Sequence, residues 1–217
     1  FLHIVVLVYA AVPVTRAFLR RADEKTIRYA LALWAFSGVL LPTARALGLL
    51  FWLDGIPVQW ALSLTWSSIG CTALGWRLRK KPLRAGTSIA LVLLGFAICY
   101  VGTAVLSIRK GTLAPQLLEG LSPGPLMMAI GIFCLCEVLA PKLPNVLQRT
   151  AETFGKSSFG IYLAHEFALS AFRVFGVTTW FASPLISIPA LAFACLLLTF
   201  MGVFVMSKIP IVRRWLI

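Results

Sequence analysis

Long apolar runs separated by short basic loops dominate this chain and limit the folds that it can adopt. Seven such runs can be drawn, at residues 1–19, 27–53, 58–76, 86–108, 125–140, 158–177 and 184–206. About 20 apolar residues suffice to cross a bilayer as a helix, whereas a membrane β-barrel would show alternating segments of about 10 residues. The sequence therefore predicts an all-α polytopic transmembrane helix bundle with about seven spans.

The composition agrees with a membrane protein. Hydrophobic residues make up 60% of the chain and charged residues 12%, whereas soluble domains have about 45–50% and about 25%. The net charge of +13 would suit nucleic acid, but the basic residues lie in short loops between apolar runs, which is typical of membrane topology signals. We therefore expect a lipid bilayer as partner, no nucleic acid, and one membrane domain over residues 1–217.

The basic residues alternate between the two sides of the predicted bundle. Sixteen of the twenty Lys and Arg residues lie in or beside the first, third and fifth connections and in the C-terminal tail. The other connections hold only Arg45, Arg109, Lys110 and Arg173. Because cytoplasmic loops are enriched in Lys and Arg, we expect a multi-pass protein of the cytoplasmic (inner) membrane with its first residue outside and its C-terminus in the cytoplasm.

Three further features bear on organisation. Pro42 interrupts the second run, which predicts either a tilted span or a helix that breaks there. The five Cys residues lie in apolar segments without the spacing of a zinc site, so we expect neither a metal nor a disulfide framework. The chain begins at Phe1 inside an apolar run, and we interpret it as a fragment of a longer protein.

The sixth run carries the chemically most informative residues. At about 100° per residue, one arc of roughly 100° on this helix holds Ser158, Tyr162, His165, Glu166, Leu169 and Arg173. Ionisable groups at bilayer depth cost several kcal/mol and usually mark a pathway or a reaction site. We therefore predict that this stripe lines a polar passage or cavity, although a hydrogen-bonded seam between helices would also account for it.

The residues of the stripe have distinct predicted roles. His165 is the candidate general base or oriented hydrogen-bond donor, with Tyr162 and Ser158 beside it as further candidate catalytic residues. Glu166 would fix the His165 tautomer through a relay, although adjacent helix residues do not face each other. Arg173 and, after the proline, Arg45 are candidate substrate-binding residues. Arg45 would also pair with Asp54.

Three stretches of the chain resemble the acyltransferase-3 family of membrane O-acyltransferases. The signature is Ser157-Ser158-Phe159-Gly160-Ile161-Tyr162-Leu163-Ala164-His165. The start, from Phe1-Leu2 through Tyr9 to Pro13, is similar to the family's Trp-Phe-Leu…Tyr…Pro helix. The tail, Lys208-Ile209-Pro210 to Arg213-Arg214-Trp215-Leu216, is similar to its closing Ile-Pro…Arg segment.

The resemblance implies both a fold and an activity. It implies a parent of about ten transmembrane helices, of which we expect this chain to lack about the first three. It also implies transfer of an acyl group, usually acetyl, from cytoplasmic acyl-CoA to a hydroxyl of a cell-envelope polysaccharide or glycolipid. The chemistry that the resemblance implies is therefore O-acetylation, as a form of polysaccharide modification, and acyl-CoA is the expected donor substrate.

Two departures from the family qualify this interpretation. The family's Arg/Lys-then-His motif of the first helices has no match here, so we expect residues 1–217 alone to be inactive. Glu166 stands where the family commonly has Pro or an apolar residue after the signature His. Two other functions remain open from the residues themselves: a transporter or flippase for a polar or lipid-linked substrate, and a non-catalytic membrane module.

Overall fold

The computed structural model describes residues 2–49, 59–179 and 183–208. Within these ranges the chain forms helices and turns, with no strand among them, so the predicted all-α fold is confirmed. The chain forms two compact units, Phe1–Lys142 and Leu143–Ile217, and one membrane domain over residues 1–217 stays a prediction. Each unit is described separately below.

The first unit consists of helices joined by short turns. Its α-helices are α1 (Leu2–Arg21), α2 (Glu24–Ala35), α3 (Leu41–Ala46), α4 (Leu64–Lys80), α5 (Ala85–Ala97), α6 (Thr103–Lys110) and α7 (Pro123–Leu139). A π turn at Phe36–Leu40 joins α2 to α3, and another at Ile98–Gly102 joins α5 to α6. Short 3₁₀ turns occupy Pro115–Leu117 and Ala140–Lys142.

Five helices in the described ranges are long and apolar enough to cross a membrane. They are His3–Arg21, Glu24–Ala46, Ala85–Lys110, Pro123–Lys142 and Ile186–Met206. All five coincide with predicted runs. The runs at 58–76 and 158–177 are largely helical too, but α4 has only 17 residues and the helix over the sixth run carries the polar stripe, so length and composition do not make these two candidate spans.

The second span passes through Pro42 without breaking, because the π turn precedes it. The Leu41 amide donates to the Phe36 carbonyl, five residues back, in a wider turn than the α-helix allows. The turn also frees carbonyl groups. The Leu62 amide donates to the Ser37 carbonyl at 2.9 Å, and the Thr43 hydroxyl to the Val39 carbonyl at 2.7 Å, so the proline leaves neither carbonyl unsatisfied.

Two polar contacts fix α2 against α4. At one end Arg77 donates to Glu24 Oε1 from Nε at 3.0 Å and from Nη2 at 2.6 Å. Nearly three turns closer to the start of α4, the Trp34 indole donates to the Ser67 carbonyl at 2.7 Å. The sequence predicted Arg77 only as a topology signal. Its ion pair brings the turn between α1 and α2 to the C-terminal end of α4, so two basic connections meet at one end of this unit.

Small residues allow α5 and α7 to approach closely. A Cβ atom at Gly95 would lie 2.6 Å from the Gly124 carbonyl oxygen, and one at Gly131 would lie 2.5 Å from the Ser88 carbonyl oxygen. Ser88 and Cys134 are fully buried in the same region. Small side chains that let backbones approach are the usual means of helix association in membranes.

The second unit is an antiparallel pair of helices, α8 (Asn145–Val174) and α9 (Pro184–Met206). Phe154 on α8 stacks with Phe200 on α9, with ring centroids 4.2 Å apart. Further along the pair, the Cys195 thiol donates to the His165 carbonyl oxygen at 3.8 Å. These two contacts set the register of α9 along α8.

Candidate functional site

Helix α8 carries the signature and is longer than the apolar run predicted. It starts after Pro144, because proline disfavours a helical conformation in the residue before it. It ends before Gly176, whose φ of +69° favours glycine. Its 30 residues span about 45 Å, against about 30 Å for the hydrocarbon core of a bilayer. The additional residues at its start, 145–157, are largely polar and form a stem before the signature.

One open groove brings the three predicted catalytic residues together. It has a volume of about 540 Å³ and lies along α8 beside α9. The side chains of Ser158, Tyr162 and His165, which are spaced by about one helical turn, form its polar part. Apart from Gly155, the remaining lining is apolar and comprises Phe154, Ile161 and Leu196. The groove thus combines an apolar channel with a line of hydroxyl, phenol and imidazole groups.

The His165 ring is oriented by its own helix. Its Nδ1 contacts the Tyr162 carbonyl oxygen, and because a carbonyl oxygen only accepts, this contact favours the tautomer with the proton on Nδ1. In that tautomer Nε2 holds the lone pair and is the atom able to accept a proton. With 42% of its side chain exposed, the ring is accessible. The predicted role of general base is chemically consistent with this tautomer.

Neither the Ser158 nor the Tyr162 hydroxyl is hydrogen-bonded to His165, as a nucleophile would be to its general base. The Ser158 hydroxyl donates to the Gly155 carbonyl at 2.7 Å, and seven residues of helix, about 10 Å, separate it from His165. The Tyr162 ring lies between them, 5.6 Å from the imidazole centroid at 34°. Its hydroxyl has no hydrogen-bond partner within the described ranges and is available to a bound molecule.

The predicted substrate-binding residues do not line this groove. Glu166 Oε2 lies 4.0 Å from His165 Nε2 and 73% of its side chain is exposed. The relay from Glu166 to His165 stays a prediction. Arg173 is exposed in the last turn of α8. Arg45 is exposed at the end of α3 in the other unit, and its predicted partner Asp54 lies outside the described residues.

Sequence reasoning missed the residues that α9 and the stem contribute. Leu196 forms one wall of the groove, and Phe154 another. The signal available was the spacing of Phe154, Ile161 and His165, which recur at helical intervals, but nothing in the sequence paired them with Leu196. No group of three or more His, Cys, Asp and Glu residues close enough to hold a metal ion occurs in the described part of the chain.

Comparison with known families decides the identity of the domain. Residues 1–207 match the family model for an acyltransferase domain, that of the acyltransferase-3 family. The chain belongs to the acyltransferase-3 family. No curated protein and no solved structure matches it. The family match and the apolar helices together make this chain a multi-pass membrane acyltransferase domain, with the signature groove inside the matched region and the tail similarity, beyond Lys208, outside the described residues.

Proposed function

We propose that the protein transfers an acyl group, with acetyl as the expected group, from acyl-CoA to a hydroxyl of a cell-envelope polysaccharide or glycolipid. In this reaction the thioester C–S bond breaks and a C–O ester bond forms. The hydroxyl proton leaves the acceptor and ends on the thiol of coenzyme A. The membrane acyltransferase class is established by the family, and the donor and acceptor are the proposed part.

The observation that carries this proposal is the groove shared by Ser158, Tyr162 and His165. His165, through Nε2, is the proposed base that takes the acceptor proton. The Tyr162 hydroxyl and the Ser158 oxygen are proposed to hold polar atoms of the substrates. The apolar wall formed by Phe154, Ile161 and Leu196 suits the pantetheine or acyl portion of the donor, which is poor in charge.

The proposed direction of transfer follows from the charge pattern. If the basic connections face the cytoplasm, donor binding there and acceptor modification on the outer side require an acyl route through the bundle. The protein is then proposed to reside in the inner membrane with its C-terminus in the cytoplasm. Fusion of a reporter after Ile217 would give cytoplasmic reporter activity under this topology, and periplasmic activity would reject it.

The test of the catalytic role replaces His165 by Ala in the full-length protein. General base catalysis contributes about 100-fold or more, so acylation of the surface glycan is expected to fall by about that factor. His3→Ala is the matched control, because His3 is the chain's other histidine and lies exposed on α1. Membrane insertion, measured by fractionation and immunoblot, should be equal in both variants.

Acylation at wild-type level in His165→Ala would reject this role. An equal fall in the His3→Ala control would show a general loss of fold. If His165→Gln, which keeps a polar side chain without a base, retains full activity, His165 acts by hydrogen bonding alone. Mass spectrometry of the released acyl groups would identify the transferred group directly.

A further inference from the structure

A second polar cavity lies in the first unit, far from its Glu24–Arg77 ion pair. Its volume is about 340 Å³, and its lining includes Pro42, Thr43, Leu62, Gln116, Glu119 and Ser122. Glu24 and Ala46 stand at opposite ends of one continuous helical span, about 33 Å apart. The cavity is therefore at the opposite end of this unit from the two basic connections. Because the charge pattern assigns those connections to the cytoplasm, it assigns the cavity to the other side of the membrane.

Backbone bonds shape this cavity before any ligand arrives. The π turn at Phe36–Leu40 leaves the Ser37 carbonyl to accept the Leu62 amide at 2.9 Å, which holds the start of α4 beside Pro42. On the other side the Ser122 hydroxyl donates to the Leu117 carbonyl at 2.7 Å, closing the turn that carries Glu119. A preformed cavity of this kind binds with little loss of conformational entropy.

The lining offers more acceptors than donors to a ligand. The hydroxyl hydrogens of Thr43 and Ser122 are used on backbone carbonyls, so both present only oxygen lone pairs. Glu119 presents a carboxylate without a hydrogen-bond or ion-pair partner within the described ranges. Gln116 lies between the Ala114 carbonyl and the Lys110 amine, each 3.2 Å from the amide when both are satisfied, which leaves it one N–H and one lone pair.

This acceptor surplus selects the chemistry of the ligand. Hydroxyl groups supply donors without adding charge, and several on one small molecule match several acceptors on one wall. An ammonium ion would also supply donors, but the Lys110 amine, 3.2 Å from the Gln116 amide oxygen, already places a positive charge next to the lining. A neutral, hydroxyl-rich molecule fits the lining better.

We propose that this cavity binds a sugar unit of the acceptor, with its hydroxyls donating to Glu119 and to the Thr43 and Ser122 oxygens. The inference rests on the proposed function, because only a glycan acceptor makes a sugar site useful to the enzyme. Glu119 thereby becomes a specificity residue for the acceptor. It lies in a different unit from His165, and the proposal needs no contact between the two.

Direct binding tests this without acyl transfer. The full-length protein is held in amphipol, free of glycoside detergents, and saturation-transfer-difference NMR is recorded with methyl glycosides of glucose, N-acetylglucosamine and rhamnose. A hydrogen bond to a charged group changes affinity by roughly tenfold or more, so Glu119→Gln should raise the dissociation constant by about that factor. Glu152→Gln, an exposed carboxylate on the α8 stem, is the control and should leave it unchanged.

The outcomes separate this inference from the proposed function. Glycoside signals that depend on Glu119 support the inference even if no acylation is found, in which case the proposed function fails alone. Acylation that is normal while no glycoside binds, or while Glu119→Gln binds equally well, overturns the inference and leaves the function standing. Signals that depend on Glu119 but come from ethanolamine or choline, and not from glycosides, would assign the cavity to a cationic headgroup and also overturn it.

Discussion

The two units of this chain use their small residues in opposite ways. In the first unit, glycines such as Gly95 and Gly124 fill a contact between helices, and a methyl group there would meet backbone atoms. In the second unit, a Cβ atom added at Gly155 or at Gly202 would have no atom of the described residues within 4 Å. The contact between α5 and α7 is thus packed by backbone proximity, although other glycines of that unit, such as Gly86, are open. In the second unit Gly160 is buried, whereas Gly155 leaves free space beside Ser158. The groove is therefore open at Gly155.

The largest expected effect on stability is in the packed unit. Gly95→Ala would push a methyl group to 2.6 Å from the Gly124 carbonyl oxygen, and overpacking of this kind costs about 1–3 kcal/mol. Gly86→Ala on the same helix has open space and is the matched control. Thermal unfolding of the purified protein should show a lower melting temperature for Gly95→Ala only; identical melting of both variants would mean that the helix contact is looser than described.

A smaller effect, on activity and not on stability, is expected in the open unit. Gly155→Leu would fill the groove beside Ser158, and displacing a substrate from its reactive position lowers the rate by about tenfold or more. Gly202→Leu introduces the same side chain at another open glycine of this unit, outside the groove. Acylation assays on equal amounts of inserted protein should separate the two. Full activity of Gly155→Leu would remove the groove from the reaction path.

The smallest expected effect concerns acid stability of the first unit. The Thr26 hydroxyl donates to Asp23 at the start of α2 and holds the pKa of that exposed carboxyl below its usual 3.8. The stabilisation is therefore fully present above pH 3.8 and is lost as the pH falls through the lowered pKa.

Asp23→Asn keeps the helix cap, because both residues are good N-caps, but removes this titration. Melting temperatures between about pH 2 and pH 6 should fall more steeply on acidification for the wild type than for Asp23→Asn. Thr26→Ala, which removes the donor, should reduce the difference. Parallel curves for all three proteins would mean that the Asp23 carboxylate contributes nothing to stability.

Sequence patterns predicted the spans well because hydropathy is a local property. The last run, at residues 184–206, coincides with α9, and the run at 86–108 falls inside the span Ala85–Lys110. The stem of α8 was missed because the spans were predicted from apolar runs, and the stem is largely polar. Its polar residues do not favour membrane insertion, although they are compatible with a helix. The consequence of Pro42 was left open, because whether a π turn absorbs a proline depends on partners such as Leu62.

The site was predictable only where a single helix supplies it. Ser158, Tyr162 and His165 share a face by periodicity alone, and the structure places them in one groove. Glu166 was grouped with them at the edge of the same arc, about 100° around the helix from His165, and it does not line the groove. The second cavity joins segments near residues 43, 62 and 119, and no local pattern relates positions so far apart in the chain.

The π turn at Phe36–Leu40 also changes how the length of this span relates to the direction of its side chains. A π turn accommodates one more residue than the α-helical path would use. Loss of a single residue here would let the turn close as an ordinary α-helical turn, so the span beyond it would keep nearly the same length and the same side-chain directions. Thr43 would then stay at the cavity while Trp34 kept its place against α4. Loss of one residue within a regular α-helix would instead rotate everything beyond it by about 100°. The π turn is therefore the place in this span where the residue count can change with the least effect on the residues that follow.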